Sequence, residues 1–209
     1  MAGIRACAET LLRGTAAEDA DRLLATMVRE TSRAARLISG LLQIARLDQG
    51  LSSPLGPVDV VQLCSDEVER LTLLSPDLDV QLEVRQAPAG MLLLDRAGCQ
   101  EILSNLGDNA RRHARQCIRY VVDCGKVGLR ITVTDDGAGV PDAVREQVFE
   151  RFVSLDGRGG SGLGLPIARS LARSMGGELR YDEGFVLELP LEVAQVTSEA
   201  AGMSRLGSQ

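Results

Sequence analysis

Apolar residues recur at helical spacing from the first residues of the chain. Ile4, Cys7, Ala8, Leu11 and Leu12 share a face, which predicts a helix over residues 1–13 ended by Gly14. A short turn with capping residues follows at 15–19, then a long helix to about Asp48. Its stripe is Leu23, Leu24, Met27, Ala34, Leu37, Ile38, Leu41, Ile44, Ala45 and Leu47, several heptads long and more than the first helix can cover. A hairpin with such a stripe pairs with a copy of itself as a four-helix bundle; packing against the rest of the chain is the alternative. Residues 49–57 are rich in Gly, Ser and Pro and read as a linker. Beyond them helical and strand periods alternate. Helices are predicted at 60–74, 96–115 and 165–175, strands at 80–84, 91–94, 118–122, 127–133, 178–181 and 185–189, and short helix and loop at 140–152. Residues 194–209 are small and polar, a pattern of disorder. The fold class expected from this order is α+β, a helical hairpin followed by a mixed α/β domain.

Composition narrows the picture. At 209 residues the chain holds one domain of ordinary size plus a smaller element. A net charge of −6 argues against generic nucleic-acid binding, and the run Arg111, Arg112, Arg115, Arg119 is too small to reverse it. Tryptophan is absent, so the core falls to Leu, Val, Ile and Ala, and stacking platforms for single strands are lacking. Five cysteines (Cys7, Cys64, Cys99, Cys117, Cys124) form no Cys-x-x-Cys, and one histidine accompanies them, so no zinc pattern appears. Reduced thiols in a cytoplasmic chain are expected, with a Cys117–Cys124 bridge as the lesser alternative. No apolar run is long enough to cross a bilayer and no signal peptide is visible, so no membrane contact by this stretch is expected.

Three clusters carry candidate chemistry. Asp135 ends an alternating strand, Leu129, Ile131 and Val133 against Arg130, Thr132 and Thr134. A carboxylate there is an acceptor only; it attracts the exocyclic amine of adenine and repels the carbonyl of guanine. Gly137 and Gly139 let the main chain bend beside a flat base. An Asp-Asp-Gly turn between strands is the plain alternative. Gly160, Gly162 and Gly164 precede the helix beginning near Leu165, with Pro166 in its first turn. Such a turn presents main-chain N–H groups and a positive dipole end to phosphate oxygens. It lacks the Gly-Lys-Ser/Thr of a Walker A loop, and a flexible surface loop is the alternative. Asn105 and Asn109 lie four apart beside Ile102, Leu103, Leu106 and Ala110, so both amides share a face. Asn109 can offer Mg²⁺ a neutral oxygen, and Arg111 or Arg112 can balance phosphate charge; a solvated helix face is the alternative.

The order Asn105-x-x-x-Asn109, Asp135-x-Gly137-x-Gly139, Phe149-x-x-Phe152, Gly160-x-Gly162-x-Gly164 resembles the ATP-binding domain of sensor histidine kinases, within the wider Bergerat-fold ATPases. The resemblance spans about 58–191, and residues 1–50, ending Leu41-Leu-Gln-Ile-Ala-Arg-Leu-Asp48, resemble the family's dimerisation and phosphotransfer hairpin. It implies an α/β sandwich with ATP between a sheet and a mobile lid. It makes Asn105 and Arg112 the catalytic candidates and Asn109 the Mg²⁺ ligand, with Asp135 reading adenine. His113, Gly137, Gly139, Val140, Gly160, Ser161, Gly162, Leu163 and Gly164 would complete the nucleotide pocket and lid. It also implies a homodimer through the N-terminal helices and a response regulator as partner.

Three departures accompany it. The family's phosphoacceptor box ends Thr-Pro-Leu or Thr-Pro-Met, so Met1 would be its last residue and the histidine would lie upstream, on a truncated first helix. His113 sits in the asparagine cluster and is read as a structural or nucleotide-contacting residue. Val153-Ser154 replaces an aromatic-basic pair, and the stretch 155–160 is short, implying a compact lid. The expected function is the ATP-binding core of a histidine kinase, transferring the γ-phosphoryl group to histidine and then to aspartate. A Bergerat-type serine/threonine kinase of the anti-sigma class and a non-catalytic ATP-binding dimerisation module are the alternatives.

Overall fold

The structure is a computed structural model and describes residues 2–14, 17–48, 54–126, 128–153 and 162–190. Helices α1 (Ala2–Leu12) and α2 (Ala17–Asp48) pack as the expected hairpin. Gly14 turns the chain at the end of α1 with φ +85°, where a Cβ would be strained. Leu24, Val28, Ile38 and Leu42 remain exposed along α2, an apolar edge without cover in a single chain. The same helix also meets the second domain. Gly40 is buried, and the Ile167 Cδ1 and Leu163 Cδ1 atoms lie 3.0 and 3.2 Å from where a Cβ would stand. Of the two alternatives for the stripe, packing against the rest of the chain is present at Gly40, while the Leu24, Val28, Ile38 and Leu42 positions take no part in it.

The second domain is a two-layer sandwich. Five strands run in the order β2-β4-β5-β7-β6: β2 Asp79–Gln86, β4 Cys117–Cys124, β5 Leu129–Asp135, β6 Glu178–Asp182 and β7 Gly184–Leu189. The β2–β4 pair is parallel and the other pairs antiparallel. Three helices cover one face: α3 (Val60–Leu74) over β2, α4 (Arg96–His113) over β5 and α5 (Gly164–Ser174) over β6. Their apolar stripes meet Ile118, Tyr120, Ile131, Val133, Leu179 and Leu187 in one core. Asp59 and Asp95 start α3 and α4 by accepting the N–H groups of Gln62 and Gly98, each at 2.9 Å.

One strand escapes the hydrophobic pattern. β1 (Gly56–Val58), inside the expected linker, pairs antiparallel with β3 (Leu92–Leu94) and brings Val58 into the core. Cys117 and Cys124 stand at opposite ends of one strand, and all five cysteines are free thiols. Burial pushes the Cys64 and Cys99 thiols up to about 12. The 194–209 segment lies outside the described residues. No helix among the described residues is long and apolar enough to cross a membrane.

Candidate nucleotide-binding site

Helix α4 connects the expected parts of the site. Its core side is held tightly: a Cβ on Gly107 would collide with the Glu67 carboxylate and the Tyr120 hydroxyl. Glu67 is buried and forms a two-point bridge with Arg70 at 2.7 and 2.8 Å. Arg70 also reaches Asp108 on α4 at 3.0 Å, so α3 and α4 cannot rotate freely past each other. This clamp was not legible in the helical pattern, because its three charges come from two separate helices.

The polar side of α4 carries Asn105 and Asn109, both half-buried and one turn apart. Asn105 faces the start of α5: its Oδ1 lies 2.8 Å from where a Cβ on Gly164 would stand. A side chain at 164 would push the Asn105 amide out of this position. The first main-chain bond of α5 runs from Ile167 N–H to Leu163 O at 3.0 Å, and no side chain caps that end. The amides of Gly164 and Leu165 precede it, and Pro166 has none to offer. The end of α5 is thereby shaped for an anion.

The other end of α4 meets the Asp135 turn. A Cβ on Gly137 would stand 2.5 Å from His113 O and 2.5 Å from Asp135 Oδ1. Gly137 N–H donates to Asp135 Oδ1 at 2.9 Å, leaving the second carboxylate oxygen for another donor. The eight-residue step from Asn105 to His113 covers roughly 12 Å at about 1.5 Å per helical residue. One helix, α4, thus meets the start of α5 at Asn105 and the Asp135–Gly137 turn at His113.

The adjacent aspartates have different tasks. Burial raises the Asp135 carboxyl above the ordinary aspartate value, opposed by the Gly137 N–H and by His113. Asp136 is lowered, chiefly by the Gln116 and Arg115 N–H groups, which donate to it at 2.7–3.0 Å. Asp136 therefore ties down the chain between α4 and β4, while Asp135 takes a main-chain bond only from its own turn, at Gly137.

Gly139 adopts φ +68°, and the next N–H, of Val140, donates to the Tyr181 hydroxyl at 2.9 Å. Arg112 lies on the Asn105 side of α4, its Nε donating to Asp108 O at 3.1 Å. The Leu163 side chain packs under Gly40 of α2, so its contribution to a nucleotide would come from the main chain. Gly162 takes φ +65° and its carbonyl accepts the Phe152 N–H at 2.8 Å. Gly160 and Ser161 lie outside the described residues. Of the two phenylalanines, Phe149 is buried and Phe152 is exposed with φ +67°. Two grooves of about 370 and 520 Å3 lie elsewhere, lined by neither Asn105, Asn109 nor Asp135. Their Arg169 and Arg130 are already paired with Glu146 and Glu178, and with Glu188.

Residues 94–195 match the model of the "Histidine kinase-, DNA gyrase B-, and HSP90-like ATPase" family, and residues 1–50 match the "His Kinase A (phospho-acceptor) domain". The second match begins at residue 1, so it does not bear out a first helix cut short of its domain; residues 1–50 nonetheless contain no histidine. The chain is 30% identical to the probable sensor histidine kinase TcrY of Mycobacterium tuberculosis over 92% of its own length and 43% of the relative's. It is 31% identical to the sensor protein CreC of Escherichia coli, covering 90% of this chain and 41% of CreC. The chain thus spans about two-fifths of the length of these relatives. Among solved structures, full-length ShkA in complex with AMPPNP superposes with a TM-score of 0.73 at 27% identity, over 86% of this chain and 40% of that one. The mycobacterial sensor histidine kinase MprB gives 0.57 at 26% identity, over 66% of this chain and 97% of that one. With both family models matched in order, the chain belongs with the sensor histidine kinases and carries their His Kinase A domain followed by their ATPase domain.

Proposed function

We propose that this chain binds ATP·Mg²⁺ and supplies the phosphoryl-transfer machinery of a two-component sensor kinase. The observation that carries the proposal is the contact of one helix, α4, with both the Asp135 turn and the start of α5. Asp135 would accept the adenine amine, and Gly137 and Gly139 would leave room for the base. The Gly164 end of α5, with Gly162 and the Gly160–Ser161 stretch, would receive phosphate oxygens. Asn109 would hold Mg²⁺ from its amide oxygen. The rest of the ion's shell would come from phosphate and water oxygens. Asn105 would orient the phosphates and Arg112 would offset their charge; catalysis is then positioning and electrostatic stabilisation.

The γ-phosphoryl group would pass from ATP to a histidine imidazole, releasing ADP, and then to a response-regulator aspartate. The only histidine, His113, belongs to α4 of the ATPase domain. With His113 read as a residue of the nucleotide pocket, the acceptor imidazole would be supplied by a helical hairpin other than residues 1–50. The exposed Leu24, Val28, Ile38 and Leu42 edge of α2 supports homodimerisation through the hairpin.

Incubation with γ-labelled ATP and a histidine-bearing helical hairpin tests the assignment. Base-stable, acid-labile label on the added hairpin, and none on this chain, is expected. Acid-labile label on this chain, or acid-stable phosphoserine on a partner, would contradict it.

A further inference from the structure

We propose that Tyr181 is a positioning residue for the base side of the cleft, holding the main chain at Gly139–Val140 through its hydroxyl. The proposal rests on the nucleotide reading above and adds a part to it. Tyr181 lies on β6, the edge strand of the sheet, yet its hydroxyl accepts the Val140 N–H at 2.9 Å from 41 residues away. Val140 closes the turn that begins at Asp135. A Cβ on Gly139 would stand 3.1 Å from the same hydroxyl oxygen, and Gly139 has φ +68°. The glycine and the tyrosine fit one another, since a side chain at 139 would press on the oxygen that anchors 140.

The ring carrying that oxygen is itself fixed. Phe185 meets it edge-on at 5.0 Å and 76°, and the Arg145 guanidinium stands 5.5 Å over its face. Phe185 in turn meets Phe149 at 6.1 Å and 88°, and Arg169 lies 4.5 Å over Phe149. The sequence holds two tyrosines and three phenylalanines, and three of these rings stand in this one ladder. A chain poor in aromatics has concentrated them behind the turn that follows Asp135. The hydroxyl acts through the Val140 amide, whose place in the turn it holds.

Tyr181→Phe keeps the ladder and removes only the acceptor. The experiment measures binding of ATP·Mg²⁺ and of base-free tripolyphosphate to both proteins, together with Val140 amide exchange and thermal midpoint. Faster Val140 exchange is expected, with an ATP Kd raised about three- to tenfold, as for one lost hydrogen bond. Tripolyphosphate binding should be unchanged and the midpoint should hold. Unchanged ATP affinity despite faster Val140 exchange would overturn the proposal alone. A matched loss of both ligands with a lowered midpoint would mark a merely structural tyrosine and also overturn it. Failure of the wild-type protein to bind ATP would overturn the cleft itself, and the positioning role with it.

Discussion

Replacing Gly137 by alanine probes the junction of α4 with the Asp135 turn. The new Cβ would stand 2.5 Å from His113 O, 2.5 Å from Asp135 Oδ1 and 3.1 Å from His113 C. The Asp135 side chain can turn aside, although doing so breaks its 2.9 Å bond from Gly137 N–H. The His113 carbonyl cannot, because it ends α4. The turn must therefore move away from the helix. Overpacking of this kind costs about 1–3 kcal/mol, offset by about 0.4–1 kcal/mol from the stiffer unfolded chain. The net loss is about 1–2 kcal/mol, which lowers the melting midpoint by about 3–8 °C in a domain of this size. The same movement carries Asp135 off the base, so the ATP Kd should rise about tenfold, the equivalent of 1.4 kcal/mol. Gly90→Ala is the control, because no atom lies within 4 Å of its added Cβ. It should leave both quantities unchanged or stabilise slightly. Calorimetric titration with ATP·Mg²⁺ and thermal unfolding of the three proteins read the two effects. A Gly137→Ala protein that binds and melts like the Gly90→Ala protein would refute the close approach of the turn to α4.

Two further outcomes follow from the same geometry. Binding that engages the Asp135 carboxylate lowers its pKa in the complex, so ATP affinity is full above the raised value of the free protein and declines as pH falls through it. The decline should begin at a higher pH than for an ordinary aspartate and vanish in Asp135→Asn; titration at a series of pH values checks this, and an identical profile in the variant would contradict it. Gly40→Leu cannot fit against Leu163 and Ile167, whose methyls already stand 3.2 and 3.0 Å from the Cβ position. It should part α2 from α5, seen as faster amide exchange over residues 163–167 with an otherwise folded ATPase domain, and unchanged protection would show the contact to be absent.

Much of the fold was legible because its periodicities are local. The stripe Val61, Leu63, Cys64, Val68, Leu71 sits on a helix whose start is marked by Asp59, and the alternation of 129–133 ends at Asp135 in a strand. β1 was hidden because three residues, one of them a proline, carry no alternation, and its partner Leu92–Leu94 lies 34 residues further on. The candidate site was legible as residue types. Asn105 and Asn109 share α4, which meets the Asp135–Gly137 turn and the Gly164 start of α5, and Gly160 lies outside the described residues. The supports of these residues were not legible. Asp135 and Asp136 are neighbours of the same type, and only the hydrogen bonds from Arg115 and Gln116 separate the brace from the residue facing the cleft. The Glu67–Arg70–Asp108 clamp and the Tyr181–Val140 bond join residues 38 to 41 positions apart, a range at which no spacing rule operates.

The central claim is that one helix edge gathers a base-reading carboxylate and a phosphate-receiving helix start into a single adenine site. Calorimetry of the wild-type chain and of Asp135→Asn with ATP·Mg²⁺ and GTP·Mg²⁺ tests it most directly. The wild type should prefer ATP. The variant should lose about 10- to 100-fold in ATP affinity, the worth of a hydrogen bond to a charged group, and with it the preference over GTP. Equal affinity for the two nucleotides in the wild type, or an ATP affinity that the substitution leaves intact, would contradict the account.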